Sequence, residues 1–258
     1  LACRTVVACV LPLCTITHGQ LPATAPTGRS EAFLLHLPGV AGPKEIDASL
    51  VRGLQRGGVA GEVRVYDWTR NDPGFNALVQ LKRNREEARK VAELIERTYR
   101  ADPSRPIYVT AHSGGTGIAV WALENLPADV RVRSLVLLQS ALSPGYDLTA
   151  ALRRVDGRAY SLHSAGDEFV LGVGTRMFGT IDGLKSDAAG LVGFRPPATD
   201  EAREQYAKLT QVPYDPAWVQ YRNAGDHIGP MHARFAAAVL APMIVEGAVP
   251  APTTRPAK

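Results

Sequence analysis

The chain has 258 residues, 45% of them hydrophobic and 21% charged, with a formal net charge of +4. That length and balance fit one α/β domain with a full core and exclude a disordered or low-complexity chain. Lys and Arg are dispersed among acids, with no basic stripe and no interleaved aromatics, so the pattern gives no nucleic-acid partner.

Cys3, Cys9 and Cys14 all fall in the first fourteen residues. Residues 1–20 carry one basic residue, Arg4, followed by an apolar run at 5–16. That run is too short to span a bilayer and has the shape of a secretory signal. The expectation is an exported protein, periplasmic, extracellular or lipid-anchored in the envelope. Its parts are a leader at 1–20, a Pro/Thr-rich linker at 21–29, one domain at 30–247 and a disordered tail at 248–258. Val6-Val7-Ala8-Cys9 and Leu1-Ala2-Cys3 loosely fit lipoprotein cleavage boxes, which would add a membrane tether. No disulfide framework is expected.

Within the domain, Ser30–Leu37 predicts a buried strand that breaks into the tight loop Pro38-Gly39-Val40-Ala41-Gly42-Pro43. Ile46, Leu50, Val51 and Leu54 recur at helical spacing, and Gly57-Gly58 end that helix. Glu62–Trp68 alternates as a strand, and Asn71-Asp72-Pro73-Gly74 marks a loop. Leu81–Arg100 is a charged amphipathic helix whose apolar face is Ala88, Val91, Ala92, Leu94, Ile95 and Tyr99. A β-branched run ending at His112 leads into Ser113-Gly114-Gly115 and then a helix to about Leu126. Val132–Gln139, centred on the apolar Leu135-Val136-Leu137-Leu138, reads as a central parallel strand. A short helix at Leu148–Arg154 and a strand at Gly157–Ser164 follow. The Gly-rich stretch Val170–Pro197 is expected to be a long loop, Thr199–Leu209 a helix, Trp218–Arg222 the last strand and Met231–Glu246 the last helix. Strands alternating with helices predict a parallel sheet covered on both faces.

The stretch Ala111-His112-Ser113-Gly114-Gly115 reads small-x-Ser-x-small between a strand and a helix. A serine at the tip of such a turn is held in a strained backbone conformation that only small neighbours tolerate. The competing reading is a Gly-rich helix N-terminus that binds an anion or nothing. A serine nucleophile also needs a base, an acid that orients it and an oxyanion hole. His227 follows the last predicted strand in the polar loop Gly225-Asp226-His227-Ile228-Gly229, with His232 in reserve. His36 and His163 fall within strands, and His112 is expected to point away from the site. Asp167, just past the Gly157–Ser164 strand, is the candidate acid, with Glu168 and Asp147 as rivals. Asp226 is read as structural. The oxyanion donors are the N–H groups of Gly114 and, because Pro38 has none, Val40, with Leu37 as the alternative. Tyr146, Phe169, Phe178 and Trp68 are candidates to shape a substrate pocket.

Taken in that order, Pro38-Gly39-Val40-Ala41-Gly42, Ala111-His112-Ser113-Gly114-Gly115, Gly166-Asp167 and Gly225-Asp226-His227 resemble the α/β-hydrolase superfamily over roughly residues 30–247. Ser143–Leu148 and Gly172–Thr180 resemble a group of uncharacterised bacterial hydrolases. Ala111 for the first glycine and Pro38 for the usual histidine depart from the pattern. The resemblance implies an α/β-hydrolase fold with a small cap or none, and a serine hydrolase that needs no metal or cofactor. Its substrate would be a small-molecule or polymeric carboxylic ester. Amide or thioester hydrolysis, acyl transfer, or a non-catalytic envelope binding protein are the other readings.

Overall fold

The computed structural model describes residues 31–70, 74–167 and 179–247. The leader, the linker, the tail, Asn71-Asp72-Pro73, Glu168, Phe169, Phe178 and the segment 172–178 lie outside the described residues.

Six strands form one sheet that is parallel throughout, in the order β2-β1-β3-β4-β5-β6. They are β1 (Ala32–Leu37), β2 (Gly61–Val65), β3 (Ile107–His112), β4 (Val132–Leu138), β5 (Val155–His163) and β6 (Leu209–Pro213). The helices are α1 (Glu45–Arg56), α2 (Phe75–Val79), α3 (Leu81–Ala101), α4 (Gly115–Glu124), α5 (Thr149–Leu152), α6 (Ala189–Val192) and α7 (Asp200–Tyr206). A last helix, α8, runs through Ala233–Phe235, the π-helical stretch Ala236–Leu240 and Ala241–Glu246. This is the expected α/β class. Among the described residues no cap domain is inserted between β4 and β5.

Strand alternation divides the core in two. Phe33, Leu35, Val109, Leu135 and Leu137 pack with α3, α4 and α5 on one face. Leu34, Val136, Leu138 and Tyr160 pack with α1 and α8 on the other. β1, β3 and β4 are largely buried and mostly apolar, with His36, Thr110, His112 and Ser134 as buried polar exceptions; β2 and β6 are half-exposed edges.

The α1–α8 contact is very close. A Cβ on Gly53 would lie 2.5 Å from the Ala233 carbonyl oxygen, and one on Gly57 would lie 2.3 Å from the Ala241 Cβ. The Ala233 N–H donates to Ser49 Oγ across the same seam at 3.1 Å.

Two expectations at the C-terminal end are corrected. Residues 216–221 are a 3₁₀ turn, not a strand: Pro216 sits in its first turn and the Asp215 carboxylate accepts the Ala217 N–H at 2.8 Å. The last strand is Leu209–Pro213, where the helix expected from Thr199 stops early at Tyr206.

In a parallel sheet of this order, ligands bind beyond the carboxyl ends of the strands where the winding reverses. Here that point lies between β1 and β3. The loop after β1 carries Pro38-Gly39-Val40, and the turn after β3 carries Ser113.

Candidate active site

Ser113 has φ of 51°, the left-handed region that non-glycine residues occupy under constraint. The turn is held from several sides. The Ser113 N–H donates to the Leu138 carbonyl at 2.9 Å, and the Ser113 carbonyl accepts the Thr116 N–H at 3.0 Å and the Thr116 hydroxyl at 2.6 Å. The reason for the small residue two places on is visible. A Cβ at Gly115 would sit 2.4 Å from both the Leu37 and Pro38 carbonyl oxygens, so only glycine lets β3's turn close onto the end of β1.

Asp167 and His227, sixty residues apart, meet. His227 Nδ1 lies 2.6 Å from Asp167 Oδ2, with the carboxylate buried and the imidazole side chain 16% exposed. A carboxylate accepts, so Nδ1 carries the proton of this bond and Nε2 is the nitrogen on the far side of the ring. The loops bearing these residues are tied directly, Ser164 Oγ donating to the Gly225 carbonyl at 2.6 Å. Gly225, at φ 83°, leaves room for this contact: a Cβ there would lie 3.0 Å from Ser164 Oγ. Asp226 is structural, its Oδ1 accepting the Ile228 and Gly229 N–H groups at 3.0 and 2.7 Å. Asp147 is engaged just before α5, its Oδ1 accepting from the Thr149 N–H at 2.9 Å and the Thr149 hydroxyl at 2.5 Å.

Among the described residues, Ser113 Oγ makes no hydrogen bond to His227. In unliganded sites such contacts are often long and tighten on binding.

Val40 and Gly114 are placed against one another: a Cβ on Gly114 would lie 2.7 Å from Val40 Cγ1. Neither N–H has an acceptor among the described residues. The carbonyls around Val40 are all engaged. Pro38 O accepts from Trp68 Nε1 at 2.7 Å, Gly39 O from the Gly42 N–H at 3.0 Å and Val40 O from the Gly74 N–H at 2.7 Å. Because C=O and N–H of a trans peptide point in opposite directions, fixing the Gly39 carbonyl in its turn fixes the Val40 N–H on the other side.

Trp68 is fully buried, its indole N–H donates to the Pro38 carbonyl, and its ring edge lies 3.2 Å from where a Cβ on Gly114 would sit, so it supports the loop directly beside Gly114. Two sequence expectations change. Tyr146 bonds the Trp121 indole and Glu124, both at 2.9 Å, near the far end of α4 from Ser113; at ~1.5 Å per residue this is more than 10 Å away. His112 does not point away. Its Nε2 donates to the His227 carbonyl at 2.9 Å and the two rings lie 4.7 Å apart. Burial, and secondarily the nearness of His227, push the His112 imidazole down to about 3, so it stays neutral. Sequence reasoning found no role for His36, Asp47 or Thr110, which form a buried hydrogen-bonded chain beside this loop. The available signals were Asp47 in the first turn of a helix and His36 opposite Thr110 in register on adjacent strands.

Among the described residues, no group of three or more His, Cys, Asp or Glu side chains could hold a metal ion, and no helix is long and apolar enough to cross a membrane.

No family model matches the sequence, and no curated protein does. Solved structures similar to the chain include a Thermus thermophilus protein, at 18% identity over 81% of this chain and 86% of that one, with a TM-score of 0.46. Another is the esterase domain of a Rhodothermus marinus protein, at 14% identity over 84% and 87%, with a TM-score of 0.44. A third is acyl-protein thioesterase 2 of Zea mays, at 14% identity over 79% and 89%, with a TM-score of 0.42.

Proposed function

We propose that the protein is a serine hydrolase that cleaves carboxylic esters through an acyl-enzyme. The observation that carries this reading is the buried Asp167–His227 hydrogen bond of 2.6 Å in a sheet whose winding reversal presents a strained Ser113. In this reading His227 Nε2 takes the Ser113 hydroxyl proton as Oγ attacks the acyl carbon. The Gly114 and Val40 N–H groups receive the oxyanion, with the N-terminus of α4 adding its positive dipole end. His227 then returns the proton to the departing alcohol, and water repeats the sequence to free the acid. Asp167 holds the tautomer and stabilises the imidazolium without taking the proton.

The test is labelling with a fluorophosphonate. Wild type is expected to form a covalent adduct mapped to Ser113 and to hydrolyse short-chain p-nitrophenyl esters, and Ser113→Ala is expected to do neither. Turnover by Ser113→Ala at the wild-type rate sinks the mechanism.

A further inference from the structure

The loop that presents the Val40 N–H begins at Leu37 and ends where α1 starts at Glu45. Its two ends are joined by one buried side chain. His36, fully buried near the end of β1, places Nε2 2.9 Å from Asp47 Oδ1 in the first turn of α1. Asp47 Oδ2 accepts the Lys44 N–H at 2.8 Å, so the same carboxylate fixes the last loop residue. The other imidazole nitrogen, Nδ1, lies 3.0 Å from Thr110 Oγ1. Thr110 is the register partner of His36 on β3, three residues before Ser113.

The chemistry of this chain is determined. Burial works to raise the Asp47 carboxyl, but the His36 hydrogen bond and charge and the Lys44 N–H outweigh it and hold Asp47 below its ordinary value. An ionised carboxylate only accepts, so His36 Nε2–H donates to it. No atom of the chain is accessible enough to meet a substrate: His36 and Thr110 are 0% exposed and Asp47 is 3% exposed. A buried carboxylate and imidazole cost desolvation energy that apolar residues of similar volume would avoid. What they add here is geometry, since they connect both ends of the donor loop to the strand that carries the nucleophile.

We propose that Asp47, His36 and Thr110 are positioning residues that set the Val40 N–H against Ser113 and so make the oxyanion hole. The proposal rests on the hydrolase reading above. A donor displaced from the oxyanion's position forfeits transition-state stabilisation while leaving ground-state binding nearly intact. Thr110→Val keeps the shape and removes the hydroxyl, and Asp47→Asn keeps the shape and removes the charge.

Each variant is expected to lower kcat on p-nitrophenyl butyrate by about 10- to 100-fold, part of the loss seen when an oxyanion donor is removed outright, with KM within about two-fold. Each is also expected to weaken binding of a trifluoromethyl ketone, which forms a tetrahedral oxyanion adduct, by a matching factor. Thr110→Ser, which restores the hydroxyl, is expected to recover most of kcat. Amide hydrogen exchange of a peptide covering 38–44, read at a temperature where each variant is folded, is expected to quicken in Asp47→Asn and Thr110→Val. Unchanged exchange in 38–44, or kcat within two-fold of wild type in both folded variants, overturns the proposal. A matched rise in KM also overturns it, because that would place the chain in substrate binding. Wild type that neither labels nor turns over rejects the hydrolase reading instead, and the exchange measurement keeps the two failures apart.

Discussion

Replacing Asp167 by Asn probes the site at its shortest link. The carboxylate is buried and its Oδ2 stands 2.6 Å from His227 Nδ1, so bulk water cannot take over its role. In the proposed mechanism His227 becomes a cation as Ser113 attacks. With the charge centres about 4 Å apart and an effective dielectric of about 20, the carboxylate stabilises that cation by about 4 kcal/mol. At about 1.4 kcal/mol per tenfold, the charge alone accounts for about 10³ in rate. An Asn side chain can also turn its amide donor toward Nδ1, which favours the tautomer with a proton on Nε2 and removes the base. That effect carries the expected loss toward about 10⁴. The assay is kcat/KM on p-nitrophenyl butyrate at neutral pH, with circular dichroism melts to show that the variant is folded. If folded Asp167→Asn keeps more than about a tenth of wild-type kcat/KM, the carboxylate does not orient the base. If Glu168→Gln loses the activity instead, the acid is the next residue along.

Two further outcomes concern stability. Because His112 is held down to about 3 while an unfolded histidine titrates near 6.5, the unfolded chain binds a proton between those values that the folded chain does not. Stability is therefore complete above about pH 6.5 and falls on acidification, by about 2 kcal/mol at pH 5. Asp47, whose carboxyl is depressed, loses its contribution only as the pH drops below 3.8 and leaves this window untouched. His112→Gln, which keeps a donor for the His227 carbonyl, should lessen the fall in melting temperature between pH 6.5 and 4.5, leaving the slope from the His163 imidazole that burial also pushes down; an unchanged slope refutes the buried neutral imidazole. Gly115→Ala forces a Cβ to 2.4 Å from two backbone oxygens and should cost about 1–3 kcal/mol, a fall in Tm of several degrees. Gly145→Ala, with nothing within 4 Å of its Cβ, should melt with wild type and serves as the control.

The parts of the molecule legible in the sequence are those encoded locally. The Ser113 turn is written in three or four consecutive residues, and the buried strands β1, β3 and β4 in short, mostly apolar runs. Asp167 and His227 followed from their places after strands, and the structure brings them together. β6 escaped because Leu209-Thr210-Gln211-Val212-Pro213 is a half-exposed edge with no clean alternation, whereas Trp218–Arg222 is rich in aromatic and β-branched residues but is held in a 3₁₀ turn by Pro216 and Asp215. The roles of His36 and His112 depend on partners 74 and 115 residues away, information that strand register and loop packing hold but local pattern does not. Tyr146 shows the converse error: an aromatic residue near a site in the chain can be committed through its polar atom to a neighbouring acid.

The seam between α1 and α8 has a mechanical consequence. The donor loop runs directly into α1, and the His227 loop leads through Gly229–Met231 into α8. With no clearance at Gly53 and Gly57, neither helix can slide or tilt without pushing the other. In the proposed mechanism Val40 receives negative charge and His227 receives the proton, and these two residues, almost two hundred apart in the chain, are thereby geared together. Thermal opening that withdraws one withdraws both, so activity on heating should vanish in a single cooperative step.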